Sequence, residues 1–191
     1  MILACQLRHL AYLEEEGAHL DKEVASRMGP FDGQIQLVDP IPGLEVRAAQ
    51  DILGELGVNM SQFPSASHLA SWAGVSPGNP RSAGKRRSGR TPRGNRWLRV
   101  ALIVAARSAL RQTGTYLNAQ YHRLAARRGD KRAVVAIAHT ILVAIYHMLR
   151  KSLSYHDLGP EYFDIRSSQT TIRRAVQRIE RLGYKVTLQQ P

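Results

Sequence analysis

The chain has 191 residues, 43% of them apolar, which suits one modest domain with a packed core. Twenty-seven Lys and Arg against 15 Asp and Glu give a formal charge of +12, a surplus suited to a polyanionic partner. The single cysteine, Cys5, excludes an intrachain disulfide and a thiol-rich metal site and fits a reducing cytoplasm, and no cationic segment leading into a clean apolar run predicts a secretory signal.

In chain order, residues 2–28 bring Leu7, Leu10, Leu13 and Leu20 to near-helical spacing, with Glu14–Glu16 and Lys22-Glu23 on the polar side. This predicts a helical arm suited to subunit contact, stopped by Gly29-Pro30. Asp39-Pro40-Ile41-Pro42-Gly43 reads as a rigid turn, followed by a helix through Leu44, Ile52 and Leu56 and closed by Gly57. Ser65 is the expected N-cap of a short helix through Leu69 and Trp72 to Gly74. Residues 75–95 hold four glycines and three prolines and keep neither helical nor alternating periodicity, which predicts a long loop. Helices are expected over 96–112 and 115–128, ended by Gly114 and Gly129, and over 131–152. The 17-residue apolar stretch Ala133–Leu149 inside the last of these carries His139, Thr140, Tyr146 and His147, and reads as a core helix rather than a membrane span. A polar-aromatic connector over 155–164, a basic amphipathic helix over 171–182 and a strand-like tail over 184–188 complete the chain.

The charge is unevenly placed. Residues 1–55 carry 4 basic and 10 acidic side chains, whereas residues 56–129 carry 13 basic side chains and no carboxylate. A soluble surface mixes both signs, so a carboxylate-free stretch of 74 residues points to a phosphate-bearing ligand, whose counterions are released as cations neutralise it. The densest part is Arg81-Ser82-Ala83-Gly84-Lys85-Arg86-Arg87-Ser88-Gly89-Arg90, continued by Arg93, Arg96 and Arg99. Its small residues let the backbone approach a phosphate, and its cations would stabilise a pentavalent phosphorus. A serine here is either a nucleophile or one more hydrogen-bonding group in a phosphate-binding loop, and no acid within the loop can take its proton. The spacing of a nucleotide-binding P-loop is absent.

Ile41-Pro42-Gly43-Leu44 has the look of a helix-hairpin-helix turn offering backbone N–H groups to a phosphate, although Glu45 stands where a second glycine is expected. The alternative is a Pro-Gly turn that starts a helix. His139 and His147 are expected to be core residues, not metal ligands. Trp72 and Trp97 flank the basic loop and are expected to be core anchors, with base stacking as the alternative. Arg173, Arg174, Arg178 and Arg181 fit a solvated helix face.

The run Phe63-Pro64-Ser65-Ala66-Ser67-His68-Leu69-Ala70-Ser71-Trp72-Ala73-Gly74-Val75-Ser76-Pro77-Gly78, then Ser82-Ala83-Gly84-Lys85, Gly89 and Gly94-Asn95-Arg96-Trp97-Leu98-Arg99, resembles the C-terminal domain of transposases of the insertion-sequence 110/116/902 family. Gly114-Thr115-Tyr116-Leu117, Ala125-Ala126-Arg127-Arg128-Gly129, Tyr155-His156-Asp157-Leu158-Gly159 and the tail from Ile179 to Leu188 extend the resemblance over roughly 41–188. The resemblance implies that Ser82 is a nucleophile that attacks a DNA phosphodiester before strand exchange, with Ser88 and Ser76 as weaker candidates. It also implies a RuvC-like domain with four acidic residues binding magnesium, an oligomer in which one subunit's serine meets another's acidic site, and a structured guide RNA. No such acidic domain is recognisable ahead of residue 41. The early acids sit on amphipathic helices and turns, and none is assigned to metal.

The expectation is therefore a mainly α protein: a helix-hairpin-helix-like domain with a long basic Gly/Arg loop, an N-terminal helical arm and a short C-terminal helix-strand tail. Residues 1–38 form the arm, 39–164 the DNA-handling domain and 165–191 the basic tail. The expected function is DNA binding and strand transfer in transposition, with Ser82 catalytic and Gly43, Arg81, Gly84, Lys85, Arg86, Arg87, Arg90, Arg93, Arg96 and Arg99 contacting phosphate. No cofactor is expected on this chain itself, and magnesium is expected on the acidic domain that is missing from it. The rival is a non-catalytic nucleic-acid-binding module that dimerises with, or inhibits, an intact transposase.

Overall fold

The computed structural model describes residues 1–78, 81–82, 85–86 and 91–187. Helix dominates them. Helix α1 (Ile2–Met28) leads through a 3-10 turn, Gly29–Phe31, into α2 (Asp32–Val38). Helix α1 thus ends where Gly29-Pro30 predicts, and the 3-10 turn leads directly into a second helix. Proline at the start of a turn loses no hydrogen bond that the turn needs, and Asp32 suits the positive end of α2. Helices α3 (Val46–Leu56) and α4 (Ala66–Trp72) follow, separated by a 3-10 turn at Met60–Gln62.

Two short antiparallel strands, β1 (Arg81–Ser82) and β2 (Lys85–Arg86), lie in the stretch expected to be wholly irregular. Then come α5 (Arg96–Ala109), α6 (Tyr116–Arg128), α7 (Asp130–Lys151) and α8 (Tyr162–Glu180). The caps are those the sequence supplies. Ser65, Asn95 and Thr115 accept from the backbone N–H groups of His68, Leu98 and Asn118. Gly129, at φ +78°, reverses the chain between α6 and α7 in a single residue.

Helix α7 is the axis of the core. Val134, Ile137, Ala138, Ile141, Leu142, Ile145 and Tyr146 are buried on it, and it packs against α2, α4, α5 and α6. Its length and apolarity would suit a membrane span, but half of its most apolar window is buried inside the fold, as befits a core helix. The phenol of Tyr146 donates to the Phe63 carbonyl at 3.2 Å, so this buried hydroxyl is satisfied while it ties α7 to the chain ahead of α4. The two histidines of α7 differ from expectation: His139 is half-buried and His147 is exposed. Burial holds the His139 pKa below the usual histidine range.

The ends of the chain pack less. No residue of α1 is buried, and Leu3, Leu7, Leu10, Leu13 and Leu20 are exposed. Ile35 and Val38 of α2, by contrast, are in the core. The exposed arm thus ends near Met28, ahead of residue 38. At the other end, α8 starts nine residues before the expected helix. Its first turn docks on α6, with Phe163 stacked on Tyr116 at 4.9 Å and Tyr162 edge-on at 5.4 Å. Residues 184–187 form no strand pairing among the described residues, and Leu188 lies outside them.

The Tyr155–Gly159 motif acts as a fastener. The Asp157 carboxylate accepts from Tyr116 N at 2.9 Å, Gly159 N at 2.7 Å and Tyr155 Oη at 3.1 Å. The connector is thereby bound to the first turn of α6, whose N–H groups have no intrahelical acceptor. Between α5 and α7, Asp130 takes both terminal nitrogens of Arg107, at 2.9 and 2.6 Å, and the Tyr121 hydroxyl at 2.8 Å. The Arg107 bonds, followed by that of Tyr121, hold the Asp130 carboxyl below the usual carboxylate range.

Candidate nucleic-acid interface

The segment that bears the candidate chemistry leaves the helical body after α4 and rejoins it at α5. Its two ends meet. Gly74 has φ +72°, and a methyl on Gly94 would sit 2.3 Å from the Gly74 nitrogen and 2.5 Å from the Trp72 carbonyl oxygen. Only two glycines allow this approach of backbone to backbone. Polar contacts lock it. Asn95 N donates to the Trp72 carbonyl at 3.2 Å, Arg99 Nη1 donates to the Gly74 carbonyl at 3.1 Å, and Asn95 Nδ2 donates to Glu55 Oε2 at 2.9 Å. The Asn95 Oδ1 also caps α5 through Leu98 N at 3.0 Å. The Gly94–Arg99 motif is thus largely the hinge plate of the segment.

Beyond that base, the backbone pairs Arg81 with Arg86 and Ser82 with Lys85. Ser82 and Lys85 are direct partners in the register. Gly84, Arg87 and Arg90 lie outside the described residues.

Arg93, Arg96 and Arg99, with Val100, Ile103 and Val104, line an open groove of about 460 Å³ along the first turns of α5. Arg93 and Arg96 are exposed at its rim, whereas Arg99 is half-buried and braces the loop base. No carboxylate lines this groove among the described residues. Cations at its mouth therefore lack an internal competitor for a phosphate.

Gly43 has another place. It is buried at φ +80°, and a methyl there would sit 2.2 Å from Ala109 N and 2.6 Å from Ala105 O. The turn between α2 and α3 presses into the C-terminal half of α5, where Ala105 and Ala109 keep the helix surface low. The structure thus supplies a packing reason for this glycine, and the reading of the segment as a turn that starts a helix covers it.

The two tryptophans depart from expectation. Trp72 is 42% exposed and Trp97 67% exposed, so neither is a core anchor. Trp72 packs against Phe63 at 5.4 Å, and the Arg96 guanidinium lies 5.7 Å from the Trp97 ring centroid. Sequence reasoning missed Glu55 and the Gly74–Gly94 contact. Glu55 sits on a helix face with no local signal of its partner 40 residues away. Among the described residues no group of three or more His, Cys, Asp or Glu could hold a metal ion, so the magnesium implied by the resemblance has no fitting donor set there.

The site is thus a carboxylate-poor basic segment whose two ends are fastened to a helical body. The family model described as transposase IS116/IS110/IS902 family matches residues 35–122, from α2 into α6. The chain is also similar to a Streptomyces coelicolor protein described as the insertion element IS110 uncharacterized 43.6 kDa protein, at 32% identity over 125 residues. That match covers 63% of this chain and 30% of the relative, so the chain spans under a third of the relative's length.

Proposed function

We propose that the chain is the DNA-handling part of a transposase, which binds the phosphate backbone of DNA and transfers a strand in transposition. The observation that carries this reading is the charge: 13 cations and no carboxylate over residues 56–129, the densest run of them on a segment whose base is fastened to α4 and α5. In this reading Arg81, Lys85, Arg86, Arg87, Arg90, Arg93 and Arg96 neutralise phosphates. Ser82 is the nucleophile. Its Oγ forms a bond to phosphorus, the bond from phosphorus to a deoxyribose oxygen breaks, and that oxygen leaves with a proton. The serine proton passes to a base outside residues 56–129, or to a histidine within them, since no carboxylate lies there. Strand transfer reverses the step with a new deoxyribose hydroxyl. A second subunit supplies the acidic site, and the exposed leucines of α1 form the contact between subunits.

The test combines the chain with an intact family transposase and its element-end DNA. Ser82→Ala should abolish a covalent protein–DNA adduct on this chain while binding persists, and an adduct of unchanged yield would refute the nucleophile. Neutralising Arg86 and Arg90 should lower the slope of log affinity against log salt by roughly 2, near one per lost phosphate contact. An unchanged slope would remove this loop from the phosphate-contacting surface. DNA binding by the wild-type chain with no adduct in any combination would favour a non-catalytic binding module.

A further inference from the structure

The first half of α5 carries an aromatic surface that the DNA-backbone reading does not use. Trp97 is 67% exposed, and Val100 and Val104 beside it are 53% and 60% exposed. Leaving such area in water forgoes burial that the fold elsewhere exploits, and a contiguous apolar patch of this kind marks a binding surface. Trp97, Val100 and Val104 line a second groove, of about 320 Å³, between α3 and α5. Asp51 and Glu55 of α3 form its far wall. Val100 and Val104 also belong to the arginine-rimmed groove, so the two are continuous across the valine ridge.

The order of chemistry across this surface is specific. Arg93 and Arg96 stand on one side, an exposed indole with an aliphatic ridge lies in the middle, and two carboxylates stand on the other side. An apolar helix of another protein would leave both charged rims facing hydrocarbon. A nucleotide fits all three: its phosphate meets the arginines, its base lies on the indole, and an amino group on the base edge meets a carboxylate. A base inside a duplex has both faces stacked on neighbours and cannot lie on Trp97, so the nucleotide is unpaired.

We infer that Trp97, rimmed by Arg93 and Arg96 and faced by Asp51 and Glu55, is the stacking site for an unpaired nucleotide of single-stranded DNA. The inference rests on the DNA-handling reading above. Cytosine presents its exocyclic amine as a donor to the carboxylates, whereas thymine presents a carbonyl oxygen in the same place, so the site prefers cytosine to thymine. Glu55 keeps acceptor capacity for this while holding Asn95, because a carboxylate offers about four lone-pair sites.

The chain has two tryptophans, so Trp72→Phe leaves Trp97 as the sole indole and keeps an aromatic ring against Phe63. The full chain carrying this change is titrated at low salt with oligodeoxycytidine and oligothymidine of about 15 nucleotides, within reach of a single binding groove, and with a duplex of similar length. Indole emission and the anisotropy of a labelled strand are read together, with far-UV circular dichroism confirming the fold. Oligodeoxycytidine should quench Trp97, and oligothymidine should bind at least about fivefold more weakly. The duplex should raise anisotropy without quenching. Trp97→Ala should weaken oligodeoxycytidine by about fivefold or more and leave duplex affinity within about twofold, while Trp97→Phe restores most of the loss. The double variant Asp51→Asn, Glu55→Gln should bind cytosine and thymine strands alike. Binding by anisotropy with Trp97 unquenched overturns the inference and leaves the DNA-handling reading standing. Equal binding of the two strands by the parent overturns the role of Asp51 and Glu55. Tighter binding of oligocytidylic RNA overturns the assignment to DNA. Failure of the wild-type chain to bind any strand or duplex at low salt overturns the DNA-handling reading itself.

Discussion

Replacing Gly43 by alanine separates a glycine kept for packing from one kept for phosphate. At φ +80° an alanine occupies left-handed backbone space, at a cost of roughly 1–2 kcal/mol. Its methyl would also lie 2.2 Å from Ala109 N and 2.6 Å from Ala105 O, both backbone atoms of a helix that cannot swing aside as a side chain can. The turn between α2 and α3 must then lift off α5, a form of overpacking that costs about 1–3 kcal/mol. The two terms give roughly 2–5 kcal/mol of destabilisation, a large share of the 5–15 kcal/mol or so that holds a typical domain. Urea denaturation followed by circular dichroism measures it. Gly54→Ala is the internal control: Gly54 lies inside α3 with nothing within 4 Å of its missing methyl, and the change should stabilise by about 0.5–1 kcal/mol. If Gly43→Ala unfolds within about 0.5 kcal/mol of the parent while DNA affinity collapses, the packing account is wrong and the hairpin-phosphate account gains.

Asp157→Ala should remove three hydrogen bonds to one carboxylate and destabilise the chain by roughly 2–3 kcal/mol, with amide exchange quickening at Tyr116 and Gly159. Exchange confined to the chain ends would contradict a fastening role. His139 should make stability depend on pH. Its pKa is lowered in the fold because burial disfavours the charged ring, so its contribution is complete above the ordinary histidine value near 6.5 and falls away as pH drops below that. His139→Gln should flatten the urea midpoint between about pH 7 and pH 5, and an unchanged slope would assign the dependence to another group.

Most of the helical framework was legible because its signals are local. Ser65 announces a helix start, Gly57 and Gly129 announce ends, and the apolar run around Ile137–Ile145, interrupted only by His139 and Thr140, reads as central. What escaped depends on distant partners. Helix α2 fully buries only Ile35 and Val38, with Leu37 partly buried beside them, too few for a periodic signal, and it follows a Gly-Pro pair that normally marks a stop. The first turn of α8 is aromatic and reads as a connector until Tyr116 is seen beneath it. Trp72 and Trp97 look like core residues by type, and only the three-dimensional placement of α4 and α5 leaves them facing outward. The basic segment was legible as charge, while the fastening of its ends by Gly74, Gly94, Asn95 and Arg99 was not, since those contacts span about 20 residues or more.

That fastening makes the basic segment a replaceable cassette. Its two ends leave the body at touching backbone positions, so the helices beneath need not register how many residues lie between them. Closing a longer loop on the same base costs only about 0.6 kcal/mol per doubling of length. Residues between the two glycines can therefore be lengthened, shortened or exchanged for another set without renegotiating the core.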